Sequence, residues 1–255
     1  MIDRATCESL DERDPLRDFR ELFDVDDDIV YLDGNSLGRP PRAARERIDA
    51  VVGDEWARGL VRSWTDAGWM DAPLRTGACI ARVIGAHPDE VVVGDSTSVC
   101  LFKLMTAALR ARPQRPVVVT EDENFPTDLY VAGAVTQVLE GRQLRHVPRR
   151  NLGDAIDDDT ALVTLTHIDF RSGDAHDLVS MTRAAHAHGA LMLWDLSHSA
   201  GAVTVDIDDA DADLAVGCGY KYLNGGPGAP AYMFVRRDLQ TSLSNPMPGW
   251  LGHET

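Results

Sequence analysis

The sequence predicts an α/β fold in which a mainly parallel sheet is covered by helices on both faces. Short apolar, β-branched runs alternate along the chain with longer segments of helical period, an alternation typical of βαβ units. Several runs are apolar on both alternations, as strands are when helices cover both sides of the sheet. No repeat or Gly/Ser linker divides the chain. We therefore expect an N-terminal arm over residues 1–40 and one large domain over residues 41–255.

Seven short segments are the predicted strands. They are rich in Val, Ile, Leu and aromatic residues, the composition that strands favour. They are 29–32 (IVYL), 90–94 (EVVVG), 116–120 (PVVVT), 161–166 (ALVTLT), 190–195 (ALMLWD), 213–218 (DLAVGC) and 229–235 (APAYMFV).

Three segments have a helical pattern with recognisable ends. Residues 42–59 follow a Pro40-Pro41 turn, and residues 98–111 follow three hydroxyl residues of the kind that cap a helix start. Residues 177–189 end in Gly189, a residue that commonly stops a helix. These helices supply the covering layers that the predicted sheet needs.

The charge and cysteine content limit the classes of partner. The chain has 25 Lys plus Arg against 41 Asp plus Glu, a formal charge of −16, which disfavours nucleic acid and anionic membranes. The four cysteines lie far apart without a CxxC pair, so neither a metal site nor a disulfide framework is predicted. The charged N-terminus lacks the apolar stretch of a secretory signal, and no 18-residue apolar span occurs. We expect a cytoplasmic protein that acts on small molecules.

The residues that suggest chemistry follow two successive predicted strands. Asp195 ends one strand and His198 follows three residues later, whereas the next strand leads to Tyr220, Lys221 and a glycine-rich turn. Open α/β sheets bind ligands at the carboxyl ends of their strands. A buried carboxylate is costly without a positive partner, and Lys221 is placed to supply one.

Pyridoxal phosphate (PLP) chemistry uses these groups together. A lysine forms a Schiff base with this cofactor, and an aspartate faces its pyridinium nitrogen so that the ring can withdraw electrons. Thr97 and Ser98, at a predicted helix start, offer hydroxyls and free backbone N–H groups to a phosphate. Phe125, after another strand, offers an aromatic face. Each residue alone is most simply a surface or capping residue, but the ordered set predicts a PLP site.

Eight segments carry a resemblance to a known family, in order from about residue 30 to the last residue. The chain resembles kynureninase, one of the fold-type-I PLP enzymes that are similar to class V aminotransferases. The segments are GNSLG (34–38), RSW (62–64), DSTSVCLFKL (95–104), NFPTD (124–128), THIDFRSG (166–173), WDLSHSAG (194–201), GCGYKYLNGGPGAP (217–230) and PGWLGH (248–253).

The resemblance implies a role for each matching residue. Lys221 carries the Schiff base, Asp195 pairs with the ring nitrogen and His198 contacts the cofactor. Phe125 stacks on the ring with Asp128 close by. The remaining implied contacts are Thr97, Ser98, Tyr220 and Trp250 to the phosphate, Thr166 to the cofactor, and Asn35, Ser36 and Trp64 near the substrate.

The implied reaction is hydrolysis of L-kynurenine, or its 3-hydroxy form, to anthranilate, or 3-hydroxyanthranilate, and L-alanine in tryptophan catabolism. Lys221 would also remove the Cα proton. Tyr220 would either shuttle a proton or only bind phosphate, and the sequence leaves both roles open. The resemblance further implies a homodimer with the site at the subunit interface, which Trp250 crosses.

Kynureninases continue past the PGWxGH motif into a C-terminal domain that carries an arginine for the substrate carboxylate, whereas this sequence stops at Thr255. We therefore expect a truncated large domain without that small domain, and a separate chain that supplies it is one alternative. Two alternatives stay open: a related PLP lyase or desulfurase, and a non-catalytic PLP-binding remnant. Assays with kynurenine and with cysteine discriminate between a kynureninase-like enzyme and the related lyase or desulfurase.

Overall fold

A single seven-stranded sheet forms the centre of the molecule. The computed structural model describes residues 2–26 and 28–250. The sheet has the strand order β1-β7-β6-β5-β4-β2-β3. Its strands are β1 (Val91–Val93), β2 (Val117–Glu121), β3 (Gln143–Val147), β4 (Thr160–Thr166), β5 (Leu191–Asp195), β6 (Leu214–Gly217) and β7 (Tyr232–Val235).

The sheet is parallel from β3 to β6, which confirms the predicted fold class. The last two strands differ, because β7 runs antiparallel to both β6 and β1. The connection from β6 to β7 contains no helix, only the glycine-rich turn, and an antiparallel return needs no crossover helix. That turn carries Lys221, so the change in strand direction falls beside the predicted site.

Helices lie between most of the strands. Eight α-helices occur in the described part of the chain: α1 (Arg4–Arg13), α2 (Arg42–Ala50), α3 (Ser63–Asp66), α4 (Ala72–Ile84), α5 (Thr97–Ala111), α6 (Pro126–Val138), α7 (Leu152–Ala155) and α8 (Leu178–Ala187). The three predicted helices are confirmed. The first continues beyond α2 as a π-helix (Val51–Gly59), and the third is followed by Gly189 at a φ of +72°.

Two apolar clusters cover the two faces of the sheet. Along β5, Met192 and Trp194 belong to one cluster, whereas Leu191 and Leu193 belong to the other. The five residues of β5 are all buried. This burial on both faces explains why the strand reads as a continuous apolar run.

The prediction of a strand at 29–32 is wrong. Val30 and Leu32 are 86% and 87% exposed, and the segment pairs with no strand of the described sheet. An apolar run forms a strand only where a sheet edge is within reach, and here the chain instead turns back. The Tyr31 hydroxyl donates to the Leu37 carbonyl oxygen at 2.6 Å and lies 3.0 Å from that of Asp33, which holds that turn.

The sequence analysis missed β3, whose sequence is QLRHV. This strand lies at an edge of the sheet and none of its residues is fully buried. Edge strands carry charged residues, so the apolar pattern that revealed the central strands is weak here. Within residues 2–26 and 28–250, no helix combines the length and the apolar character needed to cross a lipid bilayer.

Candidate active site

The carboxyl ends of β5 and β6 meet the beginnings of two helices around one small cavity. Its volume is about 180 Å³. The lining residues are Ser96, Thr97, Ser98, Phe125, Thr127, Asp128, Asp195, Ser197, His198, Tyr220, Lys221, Ala229 and Ala231. A cavity in this position is the usual ligand site of an open α/β sheet.

The N-terminus of α5 forms one wall of the cavity. Ser96 caps the helix, since its Oγ accepts a hydrogen bond of 3.4 Å from the N–H of Val99. The backbone just before it is tied to the start of β7, because the Ala231 N–H donates to the Asp95 carbonyl at 3.0 Å. Thr97 and Ser98 therefore present hydroxyls at the positive end of a helix of fifteen residues. Such an end binds phosphate and other anions.

Lys221 points into the cavity beside His198. Its Nζ lies 2.6 Å from His198 Nε2 and 5.5 Å from the centre of the Phe125 ring, and Lys221 is only 7% exposed. Burial, and then the charge of Lys221, lower the pKa of His198. The imidazole is thus neutral at neutral pH and accepts a hydrogen bond from the lysine. His198 Nδ1 is buried and has no hydrogen-bond partner among the described residues.

Two buried carboxyl groups also line the cavity. Asp195 is 3% exposed, and its Oδ1 accepts a hydrogen bond of 2.7 Å from the Ser197 N–H. Asp128, in the first turn of α6, is 2% exposed. Burial, and then the neighbouring Asp195, raise the pKa of Asp128 well above its ordinary value. One of the two groups is therefore uncharged at neutral pH, as like charges in a buried pair require.

A buried amide behind the cavity was missed by the sequence analysis. Asn124 Oδ1 accepts hydrogen bonds from the N–H of Phe125 at 2.9 Å, from the N–H of Thr166 at 3.0 Å and from the Thr166 hydroxyl at 2.6 Å. Its Nδ2 donates to Thr120 Oγ1 at 3.1 Å. Asn124 thus fixes the backbone that carries Phe125. The available signal was its place as the first residue of the NFPTD segment.

Phe170 is a second residue that the sequence analysis did not single out. Its ring centre lies 5.1 Å from that of Phe125 in an edge-to-face arrangement and 6.3 Å from the His198 ring. The Phe125 and His198 ring centres are 6.1 Å apart. The three rings support one another, and two of them line the cavity.

The N-terminal arm touches the loop that carries Lys221. The Gly38 N–H donates to the Tyr220 carbonyl at 2.9 Å. A Cβ at Gly38 would lie 2.0 Å from Asn224 Oδ1 and 2.2 Å from the Lys221 carbonyl oxygen, so only glycine fits. Asn35 and Ser36, predicted to lie near the substrate, are in the arm close to this contact but outside the cavity wall.

Trp64 and Trp250 also lie outside the cavity wall. Their ring centres are 5.8 Å apart in an edge-to-face arrangement, and Trp69 packs against Trp64 at 6.1 Å. The structure thus brings these two predicted residues to each other rather than to Lys221. The end of the PGWLGH segment, residues 251–253, lies outside the described residues.

Most of the predicted cofactor residues converge on the cavity. Those in its wall are Thr97, Ser98, Phe125, Asp128, Asp195, His198, Tyr220 and Lys221. Thr166 lies directly behind, with its Oγ1 3.4 Å from Asp128 Oδ2. A primary amine, a buried acid, an aromatic face and a helix N-terminus are groups that suit the Schiff base, the ring and the phosphate of PLP. The unpartnered His198 Nδ1 in this wall leaves a polar atom for a ligand, so the residues fit that cofactor.

Solved structures share this fold. The cysteine desulfurase CsdA from Escherichia coli matches with a TM-score of 0.74 and 18% identity, covering 89% of this chain and 59% of its own. A lysine-to-alanine mutant of C-DES, with glycine covalently linked to its PLP cofactor, matches with a TM-score of 0.73 and 18% identity. That match covers 97% of this chain and 62% of the C-DES chain. At these identities the likeness concerns the fold.

The family model described as aminotransferase class-V matches residues 59–251. The chain therefore belongs to the aminotransferase class-V family, as its sheet and its lysine-containing cavity indicate. Kynureninase from Pseudomonas fluorescens is 49% identical over an alignment of 259 positions that covers 99% of this chain and 62% of that enzyme. Kynureninase from Burkholderia mallei (strain SAVP1) has the same identity and coverage. The predicted resemblance is confirmed, and the chain spans about 62% of the length of these curated relatives.

Proposed function

We propose that this protein binds PLP and takes part in the hydrolysis of L-kynurenine, or its 3-hydroxy form, to anthranilate, or 3-hydroxyanthranilate, and L-alanine. The observation that carries the proposal is the convergence of Lys221, Asp195 and the α5 N-terminus on one cavity. The identity of 49% with kynureninases over nearly the whole chain supports the choice of substrate. The proposed setting is tryptophan catabolism in the cytoplasm.

The residues of the cavity divide the work of holding the cofactor. Lys221 would bind it covalently, Asp195 would pair with its ring nitrogen, and Thr97 and Ser98 would bind its phosphate. Phe125 would stack on the ring. When bound, PLP supplies an electron sink for the carbanion of an amino-acid substrate.

Three side chains of the cavity, those of Lys221, His198 and Tyr220, would take part in proton transfer. Lys221 would move the proton at the substrate Cα, and the neutral His198 at 2.6 Å orients its amine. Burial raises the pKa of Tyr220, which keeps its phenol a hydrogen-bond donor. Both roles predicted for Tyr220, phosphate binding and proton shuttling, need that donor.

The remaining assignments concern a second subunit. Exposed apolar side chains on the arm and after the π-helix, including Val30, Leu32 and Val61, support a homodimer that covers them. In that dimer Trp250 would reach the phosphate of the partner's site, and Asn35, Ser36 and Trp64 would line the substrate side. A C-terminal domain with an arginine for the substrate carboxylate belongs to the same proposal.

Lysine labelling tests the cofactor claim sharply, because the chain contains only two lysines, Lys103 and Lys221. Incubation with PLP and borohydride, followed by peptide mapping, should place the label on Lys221. Lys221→Ala should abolish it. The matched control is Lys103→Arg, which alters the lysine paired with Asp95 at 2.6 Å and should leave the label in place. A label on Lys103, or none, would contradict the proposal.

Substrate choice is tested on protein that has been shown to form the Lys221 label. Release of fluorescent anthranilate from L-kynurenine supports the proposed reaction, and release of sulfide from cysteine without anthranilate would assign a desulfurase instead. A label on Lys221 with neither product would assign a PLP-binding protein without turnover.

A further inference from the structure

The candidate site contains a second acid whose role the proposed function leaves undefined. Asp128 and Asp195 are both buried, and among the described residues the one cation that faces them from the cavity wall is Lys221. The neighbouring titratable side chains are His198, whose pKa is lowered by burial, and Tyr220 and Tyr232, whose pKa values are raised by burial. These three are neutral at neutral pH. A single cation faces two carboxyl groups, so one of the two must keep its proton.

The hydrogen bonds around Asn124 decide which group keeps it. Two backbone N–H groups, of Phe125 and Thr166, point at Asn124 Oδ1, and an N–H can only donate, so this atom is the amide oxygen. The Thr166 hydroxyl, 2.6 Å from the same oxygen, must therefore use its only hydrogen there. Thr166 Oγ1, which lies 3.4 Å from Asp128 Oδ2, therefore has no second hydrogen to donate to it.

Asp128 consequently receives no hydrogen bond from Thr166, and its neighbour in the buried pair is the Asp195 carboxyl. Asp195 differs, because its Oδ1 already accepts the Ser197 N–H at 2.7 Å. A backbone donor stabilises a carboxylate, whereas a buried carboxyl that lacks such a donor keeps its proton. The charge belongs on Asp195 and the proton on Asp128.

We propose that Asp128 is a positioning residue that remains a neutral acid, held by the Asn124–Thr166 network, and donates a hydrogen bond to Asp195 so that Asp195 stays ionised toward the cofactor's ring nitrogen. The raised pKa of Asp128, caused by burial and by Asp195, agrees with this geometry. The cofactor half of the inference rests on the proposed function. The location of the proton does not.

The proton location is tested without cofactor, by infrared spectroscopy of the purified protein. Wild-type protein at neutral pH should show the C=O stretching band of a buried carboxylic acid, and the isosteric Asp128→Asn variant should lack it. The matched control is Asp122→Asn, which alters an exposed aspartate outside the cavity wall and should keep the band.

A second variant changes the neighbour instead of the acid. Asp195→Asn removes the charge that holds the proton on Asp128, so the acid band should titrate away at a lower pH than in the wild-type protein. Absence of the band from wild-type protein, or its survival in Asp128→Asn, would overturn the proposal whatever the protein does with PLP.

The role toward the cofactor is tested by PLP affinity and by the pH dependence of the PLP absorption band. Asp128→Ala removes the donor and should weaken binding by about tenfold or more, the equivalent of one pKa unit of lost charge stabilisation. Asp128→Asn keeps a donor without a titrating proton, so it should recover most of that affinity. The pH dependence of its PLP band should lack the step that titration of Asp128 causes in the wild-type protein.

The outcomes separate the two claims. Asp128→Asn that folds normally yet binds PLP as weakly as Asp128→Ala would overturn the donor role. An acid band in wild-type protein that binds no PLP at all would overturn the proposed function and the role toward the cofactor, while the proton would still be located on Asp128.

Discussion

At the scale of single residues, His167 shows how burial sets a protonation state, and His176 is its neighbour. They lie at the two ends of a hairpin, where the His176 N–H donates to the His167 carbonyl at 2.9 Å. Both rings pack against the buried Trp194, with ring centres at 6.0 and 6.2 Å. His176 Nε2 contacts Glu121 Oε1 at 3.0 Å, whereas His167 Nδ1 has no partner among the described residues.

This difference predicts a pH-dependent loss of stability. Burial, and then His176, lower the pKa of His167 from about 6.5 to about 4. Because the folded pKa lies below the unfolded one, the contribution of His167 is complete above about pH 6.5 and is lost as the pH falls toward 4. The expected loss in free energy of unfolding is about 3 kcal/mol.

The measurement is urea unfolding at several pH values. His167→Phe keeps a ring against Trp194 but cannot bind a proton, so its stability should fall less steeply below pH 6.5. His146→Gln, at an exposed histidine of β3, is the control and should follow the wild-type slope. Equal slopes for wild type and His167→Phe would contradict the prediction.

At the scale of elements, the packing of α4 on β1 depends on the absence of one side chain. A Cβ at Gly77 would lie 2.1 Å from the Val91 carbonyl oxygen and 2.7 Å from its carbon, both backbone atoms. Such atoms cannot rotate away, so the helix and the strand would have to separate. Gly77 therefore sets the distance between these two elements.

Two glycine-to-alanine changes in helices should have opposite effects. Gly77→Ala should destabilise the protein by about 1–3 kcal/mol, because overpacking displaces α4. Gly133→Ala, in α6, meets nothing within 4 Å and should stabilise it by about 0.5–1 kcal/mol through helix propensity. Thermal unfolding of both variants tests the pair, and a Gly77→Ala protein as stable as Gly133→Ala would refute it.

The central elements were predictable because their environment is uniform. Strand β5 is buried on both faces, and the cap of α5 is local in sequence, so apolar runs and hydroxyl residues revealed both. Strand β3 could not be predicted from an apolar pattern, because its edge position exposes its polar residues. The segment 29–32 has a strand-like composition but meets no strand, and a pattern within four residues carries no information about distant partners.

At the scale of the whole molecule, local sequence patterns also revealed only part of the candidate site, because some of its contacts join residues that are distant in sequence. The order of residues after successive strands predicted that Asp195 and Lys221 would converge, since neighbouring parallel strands end at the same edge. Asn124 could not be found in this way, because two of its hydrogen bonds come from Thr166, 42 residues away. Its position becomes meaningful only once β2 and β4 are neighbours.

The contact between Gly38 and Tyr220 ties the arm to the loop that carries Lys221. A reduced PLP adduct on Lys221 should steady that loop and, through it, the arm. Chymotryptic cleavage near Leu32, which is 87% exposed, should therefore slow after the adduct forms, whereas cleavage near Leu74, 56% exposed in α4 and outside the arm, should keep its rate. Digestion followed by mass spectrometry would reveal this protease protection, and unchanged cutting at both places would show that the arm moves independently of the loop.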